Sequence, residues 1–274
     1  MSAFVRLQKL LPQHLLSRGA GALASSEVSW IRGPLIRTFA RTYGIDMAQA
    51  ERPNLAQYRS FNDFFTRTLV PDARPIDAAP EAVVSPADGA VSQTGRIEQG
   101  ELMQAKGIRY SFEALVGECA SDAFEGGAFT TIYLSPKDYH RVHLPLAGRL
   151  VRTVAIPGKL FSVNATTEAG IEGLFAVNER LVCEFETEAG RMLVVMVGAM
   201  IVASIATVWD GPASPYRQRQ VTEHDLVFEK GAEIGRFLLG SSVVLCFETE
   251  RVALADELEA GRVVRMGEAI GTQT

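Results

Sequence analysis

Met192 to Trp209, MLVVMVGAMIVASIATVW, holds 18 consecutive residues without a charge. A run of that length must leave water. It either crosses a bilayer as a helix or lies in a buried core. Its make-up selects the second, because it is rich in Val and Ile and has Gly198 near its middle. β-Branched side chains pack well on a pleated sheet and lose rotamer freedom in a helix. Two buried strands are the expectation. The same texture runs on from Val83: AFTTIYLS, RLVRTVAI, RLVCEFET and FLLGSSVVLCFE alternate with Gly-containing turns. That rhythm predicts a mostly antiparallel β domain, a barrel or a sheet. Gly231-Ala-Glu-Ile-Gly235 and Gly267-Glu-Ala-Ile-Gly271 echo one another, each predicted as a strand leaving a glycine turn.

The first 65 residues read differently. Phe4, Leu7, Leu10 and Leu11 share a helical face that Pro12 interrupts. Ile31, Leu35 and Phe39 recur every four residues, and Gly44 is the predicted stop. Residues 1–45 carry six basic side chains against Glu27 alone, a net +5, so the rest of the chain carries -10. A basic, apolar-striped helix with a Trp suits the interface of an anionic membrane. A helical layer over the core is the alternative. Phe61, Phe64 and Phe65 are expected in the core. Residues 71–86, rich in Pro, Ala and Asp, read as a linker. The division expected is 1–70 helical and membrane-associating, 71–274 β-rich and catalytic, an α+β protein.

Composition sets limits. At 274 residues and 47% hydrophobic, the chain fills a sizeable core and is not disordered. The overall charge of -5 speaks against a general nucleic-acid binder. The apolar stretches at the N-terminus are too broken by Lys9, Gln13, His14 and Arg18 for a secretory signal. Cys119, Cys183 and Cys246 form no CxxC pair, which fits a reducing compartment.

Chemistry-bearing residues are few. Two of the four histidines, His140 and His143, fall in DYHRVHLP. HxxH suggests a metal, yet no third ligand is evident nearby and zinc needs three or four, so no metal is expected. In an extended segment, residues three apart face opposite ways, so the two imidazoles suit different tasks. Two hydrogen-bonded histidines at a strand end are the plain alternative. Asp88, before Gly89, is ordinary turn chemistry. Leu239-Gly240-Ser241-Ser242 sits between two apolar runs, where Gly implies a bulge. A hydroxyl there could attack the preceding carbonyl, given a base and oxyanion donors. Asp, His and Ser brought together would supply that arrangement, but the sequence alone does not bring them together.

Eight stretches then add up: SFNDFFTR (60–67), SPADGAVSQTG (85–95), QAKGIRYS (104–111), YLSPKDYHRVHLP (133–145), IPGKLFSVN (156–164), LFAVNER (174–180), VGAMIVASI–TVW (197–209) and GRFLLGSSV (235–243). In content and order they resemble the bacterial phosphatidylserine decarboxylases, from about residue 60 to the C-terminus. The N-terminal helices match only in character. The resemblance implies a proenzyme that cuts itself between Gly240 and Ser241, into a β chain of 1–240 and an α chain of 241–274. Ser242 stands where many members have Thr, and both carry a hydroxyl. The self-cleavage triad would be Asp88, His143 and Ser241. Ser241 would become the pyruvoyl cofactor, which takes the substrate amine as a Schiff base. His140 would be the proton donor in decarboxylation. The implied partners are phosphatidylserine, an anionic membrane surface and a second copy in a homodimer. The implied location is the cytoplasmic face of the bacterial membrane, with no nucleic acid involved.

Three competitors remain. A serine hydrolase could use the same triad, although no G-x-S-x-G elbow surrounds Ser241. A lipoyl- or biotinyl-type module would carry its modification on a turn Lys, with Lys106 the nearest match. Another amino-acid-bearing lipid could replace phosphatidylserine.

Overall fold

The computed structural model describes residues 5, 6, 8, 11–199, 205–211, 214–238 and 242–274, the side chain of His14 excepted. Gly240, Ser241 and much of the first predicted helical face therefore lie outside the described residues.

Helix α1 (Gln13–Ala24) starts directly after Pro12, where a residue without an N–H costs nothing. α2 (Ser29–Tyr43) ends, as predicted, at Gly44, which takes the left-handed cap conformation at φ 61°. α3 (Phe61–Phe65) is capped by the Ser60 side chain, which accepts from the Asp63 N–H. The stripe on α2 covers a small core of its own. Ile36 and Ala40 meet Tyr58, Phe61, Phe64 and Phe65, with Phe39 set edge-on to Phe61 at 4.9 Å. The three phenylalanines are buried, as expected. Trp30, Leu15 and Leu23 remain exposed. The start of the chain is pinned to the β region by two glutamines. Gln8 accepts from the Ser162 N–H at 2.9 Å and Gln13 from the Leu160 N–H at 2.8 Å.

The strands are β1 (Ala82–Val84), β2 (Gly89–Arg96), β3 (Glu101–Met103), β4 (Arg109–Ser111), β5 (Ala128–Tyr133), β6 (Arg141–His143), β7 (Gly148–Ile156) and β8 (Arg180–Thr187). There follow β9 (Gly190–Val197), β10 (Ile205–Thr207), β11 (Gln220–Phe228), β12 (Glu233–Phe237), β13 (Ser242–Phe247), β14 (Val252–Leu254), β15 (Val263–Val264) and β16 (Ala269–Gln273). The main sheet has the order β11-β7-β8-β9-β13-β5-β2-β15 and is antiparallel throughout. Smaller sheets run β10-β12-β6, β1-β16-β14 and β3-β4.

Among the described residues the long apolar run divides into two strands as predicted, β9, buried from Met192 to Val197, and β10, in which only Ile205 is buried. Its continuous hydrophobicity has a cause. Met192, Val194 and Met196 face one core, while Leu193, Val195 and Val197 face another. β13 alternates likewise, Val243 and Leu245 against Val244 and Cys246. A sheet covered on both faces needs apolar residues at every position, not every second one. No pairing among the described residues joins β11 to β15, so among them the main sheet does not close into a barrel. One edge, β15, is two residues long, and the other carries Glu223, His224 and Asp225. Short and charged edges resist further pairing. The Gly231 and Gly267 echo is real at this level: each turn leads into a strand, β12 and β16.

Candidate active site

The chain changes sheets at one place that matters. β12 belongs to the small sheet with β6, whereas β13 lies at the middle of the main sheet between β5 and β9. β12 ends at Phe237 and β13 begins at Ser242, and in sequence the Gly240–Ser241 bond falls between them, outside the described residues. His140 is tied to the near end of that crossing, since the Phe237 N–H donates to the His140 carbonyl at 3.0 Å. Ser242 marks the far end. It is buried, and its Oγ has no hydrogen-bond partner.

His140 is fully buried, its ring against Phe65 with centroids 3.9 Å apart. Its Nδ1 lies 2.8 Å from the Asp138 carbonyl. A carbonyl can only accept, so Nδ1 carries the proton and Nε2 keeps its lone pair. Nε2 has no partner. Burial pushes the His140 pKa down to about 3, and the charge of Arg67 adds to that against the Asp138 bond. The imidazole is neutral at pH 7.

His143 ends β6. Its Nδ1 lies 2.8 Å from the Gly231 carbonyl and its Nε2 3.1 Å from the Tyr139 hydroxyl. The carbonyl fixes the tautomer, so Tyr139 donates to Nε2. Burial lowers the His143 pKa, opposed by the Gly231 bond and by Glu233, its partner across to β12. Burial also pushes the Tyr139 phenol up to about 12.

Asp88 stands at the turn before β2, buried, with its carboxylate fully engaged. Arg74 Nε donates to Oδ1 at 2.7 Å, Arg74 Nη2 reaches Oδ2, and the Met266 N–H donates to Oδ1 at 3.0 Å. The structure therefore does not join Asp88 to His143 by a hydrogen bond. The orienting task expected of Asp88 falls to the Gly231 carbonyl, because the Arg74 fork is the stronger, bidentate partner for a carboxylate. Asp88 does favour the protonated form of His143 through its charge. Register places Asp88 at the same end of the main sheet as Ser242. Ser242 pairs with Tyr133, which pairs with Ala90, two strand spacings or about 10 Å across.

Beside Asp88 lies a cleft of about 280 Å³, its wall formed by Arg67, Arg74, Gly89 and Tyr139 among others. The end of α3 is stitched to the HxxH segment around it. Arg141 Nε donates to the Thr66 carbonyl at 2.9 Å, and Arg67 Nη2 donates to that of Lys137 at 3.1 Å. Sequence reasoning missed Arg67, Arg74 and Tyr139. Tyr139 and Arg67 lie inside two of the recognised stretches, but Arg74 sits in the apparent linker with no local signal. Among the described residues, no cluster of three His, Cys, Asp or Glu side chains is placed to hold a metal.

The fold and site define a class: an α+β protein with two neutral histidines and a cation-rich cleft gathered beside a strand crossing. The comparisons narrow it. The family model described as phosphatidylserine decarboxylase matches residues 61–272, and a second, described as PSD, matches residues 3–44. A phosphatidylserine decarboxylase proenzyme of Azotobacter vinelandii is 53% identical over 98% of this chain and 97% of its own length. Proteins of the same name from Ectopseudomonas mendocina and Acinetobacter baumannii are 51% and 49% identical, each over 98% of this chain and 97% and 95% of their own. The chain belongs to the phosphatidylserine decarboxylase family.

Proposed function

We propose that the chain is a proenzyme that cuts itself between Gly240 and Ser241 and then decarboxylates phosphatidylserine to phosphatidylethanolamine and CO2. The observation that carries this, beyond family membership, is the crossing itself. Two buried polar atoms without partners, His140 Nε2 and Ser242 Oγ, belong to residues that flank it. They fit a small α-keto group derived from Ser241. That pyruvoyl group supplies a ketone for the substrate amine and an electron sink for the departing CO2.

The residues divide the work. In self-cleavage Ser241 Oγ attacks the Gly240 carbonyl as the base His143 takes its proton, the peptide C–N bond gives way to an ester, loss of the Ser241 α-proton expels the Gly240 carboxylate, and water replaces the nitrogen of the resulting dehydroalanine, releasing ammonia. Tyr139 lines the cleft, so its hydroxyl on Nε2 extends that base to the cleft wall. Arg74 pairs with Asp88 nearby. In decarboxylation His140 Nε2 rests unprotonated. It accepts a proton shed by the substrate ammonium and returns it to the carbon that has lost CO2. After the cut β13 belongs to the α chain and its neighbours β5 and β9 to the β chain, so the two products stay paired.

The lipid substrate calls for contact with a membrane; the cytoplasmic face and a homodimer belong to the proposal only as what the family resemblance implies. Exposed Leu15, Leu16, Leu23 and Trp30 on α1 and α2 support the membrane contact, as does the net +5 of residues 1–45. A cavity of about 660 Å³ lined by Leu11, Leu15, Phe161, Arg18 and Lys159 adds an apolar recess beside cations.

Denaturing mass spectrometry of the purified full chain tests the proposal. Two chains cut at Gly240–Ser241 are expected, the short one about 17 Da below its Ser-initiated mass, since ammonia is lost. Ser241→Ala should stay in one piece and release no CO2 from phosphatidylserine vesicles. A normal α chain from that variant would refute the self-cleavage assignment.

A further inference from the structure

The cleft beside Asp88 holds more positive charge than its own acids use. Its four cations are Arg67, Arg74, Lys137 and Arg265, and its three carboxylates are Asp46, Asp88 and Asp138. All three carboxylates are engaged. Asp88 takes Arg74, Asp46 accepts from the Ala48 N–H and Gln49 Nε2, and Asp138 accepts from the Ser135 N–H and Oγ. Arg67, Lys137 and Arg265 make no ion pair among the described residues.

Arg67 is the strongest member. It is 4% exposed, and one nitrogen, Nη2, donates to backbone carbonyls while Nε and Nη1 have no partner. A buried guanidinium without a counter-ion is costly, and its burial weakens its hold on the proton. An anion seated in the cleft would relieve that cost, and a guanidinium matches a phosphate better than any other side chain does.

The substrate carries two anions, a carboxylate and a phosphodiester. Cations on the carboxylate would stabilise the ground state and lose their partner as CO2 departs, which slows the reaction. The phosphodiester keeps its charge throughout. We infer that Arg67, with Lys137 and Arg265 at the mouth of the same cleft, is the subsite that holds the phosphodiester of the lipid headgroup. This deepens the decarboxylase function proposed above and presupposes it.

The test compares Arg67→Met with a double variant, Lys137→Ala with Arg265→Ala, whose side chains are exposed and whose loss leaves the core intact. The substrate is water-soluble dihexanoyl phosphatidylserine, which removes membrane binding from the measurement. Both variants should process normally by mass and raise KM at least about tenfold, with a smaller change in kcat. Glycerophosphoethanolamine should compete in the wild type and at least about tenfold less well in both variants. If Arg67→Met fails to fold, the double variant alone decides. Wild-type KM and wild-type competition in the double variant would overturn the subsite. Competition by inorganic phosphate but not by glycerophosphoethanolamine would also overturn it, in favour of a free-phosphate site. An unprocessed, inactive wild type would instead bring down the decarboxylase proposal itself.

Discussion

His140 and His143 lie three residues apart and occupy different environments, as an extended segment dictates. One is sealed against Phe65 with a free lone pair; the other is held between a carbonyl and a phenol. The division of labour is testable by separating cutting from turnover. His140→Gln should leave the two-chain mass pattern intact and lower kcat by roughly 10²–10⁴, the usual worth of a positioned acid–base group. Normal turnover in that variant would assign the proton to another group. The same burial has a consequence for stability. Both imidazoles are held neutral in the folded state with pKa values below the ordinary 6.5, His140 down to about 3. As pH falls below 6.5 the unfolded chain binds protons that the folded chain refuses, so stability drops. For His140 it continues to drop toward pH 3, by up to about 1.4 kcal/mol per unit. Thermal midpoints measured from pH 7 to pH 4 should fall less steeply for His140→Gln than for the wild type, and equal slopes would show that His140 is not the group responsible. At this scale the sequence displays Asp88, His140, His143 and Ser241 through their motifs. Arg74 shows no signal, because its role comes from a contact with Asp88 across fourteen residues of irregular chain.

Among the elements, β13 carries the most weight. It follows the candidate bond directly, sits between β5 and β9, and buries every residue from Ser242 to Phe247. Leu245 is fully buried, and Leu245→Ala should cost about 2–5 kcal/mol through lost contacts and an unfilled cavity. A denaturant titration of the processed protein measures it, and a shift of the midpoint worth under about 1 kcal/mol would mean that the core collapses around the gap. The close approach of β2 to β5 is another constraint of this kind. A Cβ on Gly89 would collide with the Tyr133 carbonyl, so the glycine of the SPADG turn is needed for the close packing of β2 on β5. Continuous apolar runs announce β9 and β13 as buried, because a sheet covered on both faces has no polar side to betray its period. Their neighbours were not legible. Strand order depends on contacts between segments far apart in the chain, such as Ala90 with Tyr133 and, more than a hundred residues apart, Tyr133 with Ser242.

For the whole molecule, the excess of basic charge and the exposed apolar residues of α1 and α2 fall in the same N-terminal segment. Deleting residues 1–41 should reduce co-sedimentation with phosphatidylglycerol-containing vesicles at least severalfold at low salt, and unchanged binding would move the membrane contact elsewhere. The deletion also removes Gln8 and Gln13, which pin the segment to residues 160–162, so a thermal melt must accompany it. The amino-acid sequence by itself determined the α+β division, the burial of residues 192–197 within the long apolar run and the stop at Gly44. Each of these follows from composition, period or spacing within a short window. Only the tertiary structure decided the order of the strands, that the Gly231 carbonyl and not the Asp88 carboxylate meets His143 Nδ1, and that Arg67 lies buried without a counter-ion. Those outcomes turn on which distant groups meet and which partner wins a shared atom. A bidentate guanidinium on a buried carboxylate outcompetes a neutral imidazole, and nothing local to Asp88 or His143 says that Arg74 will be there.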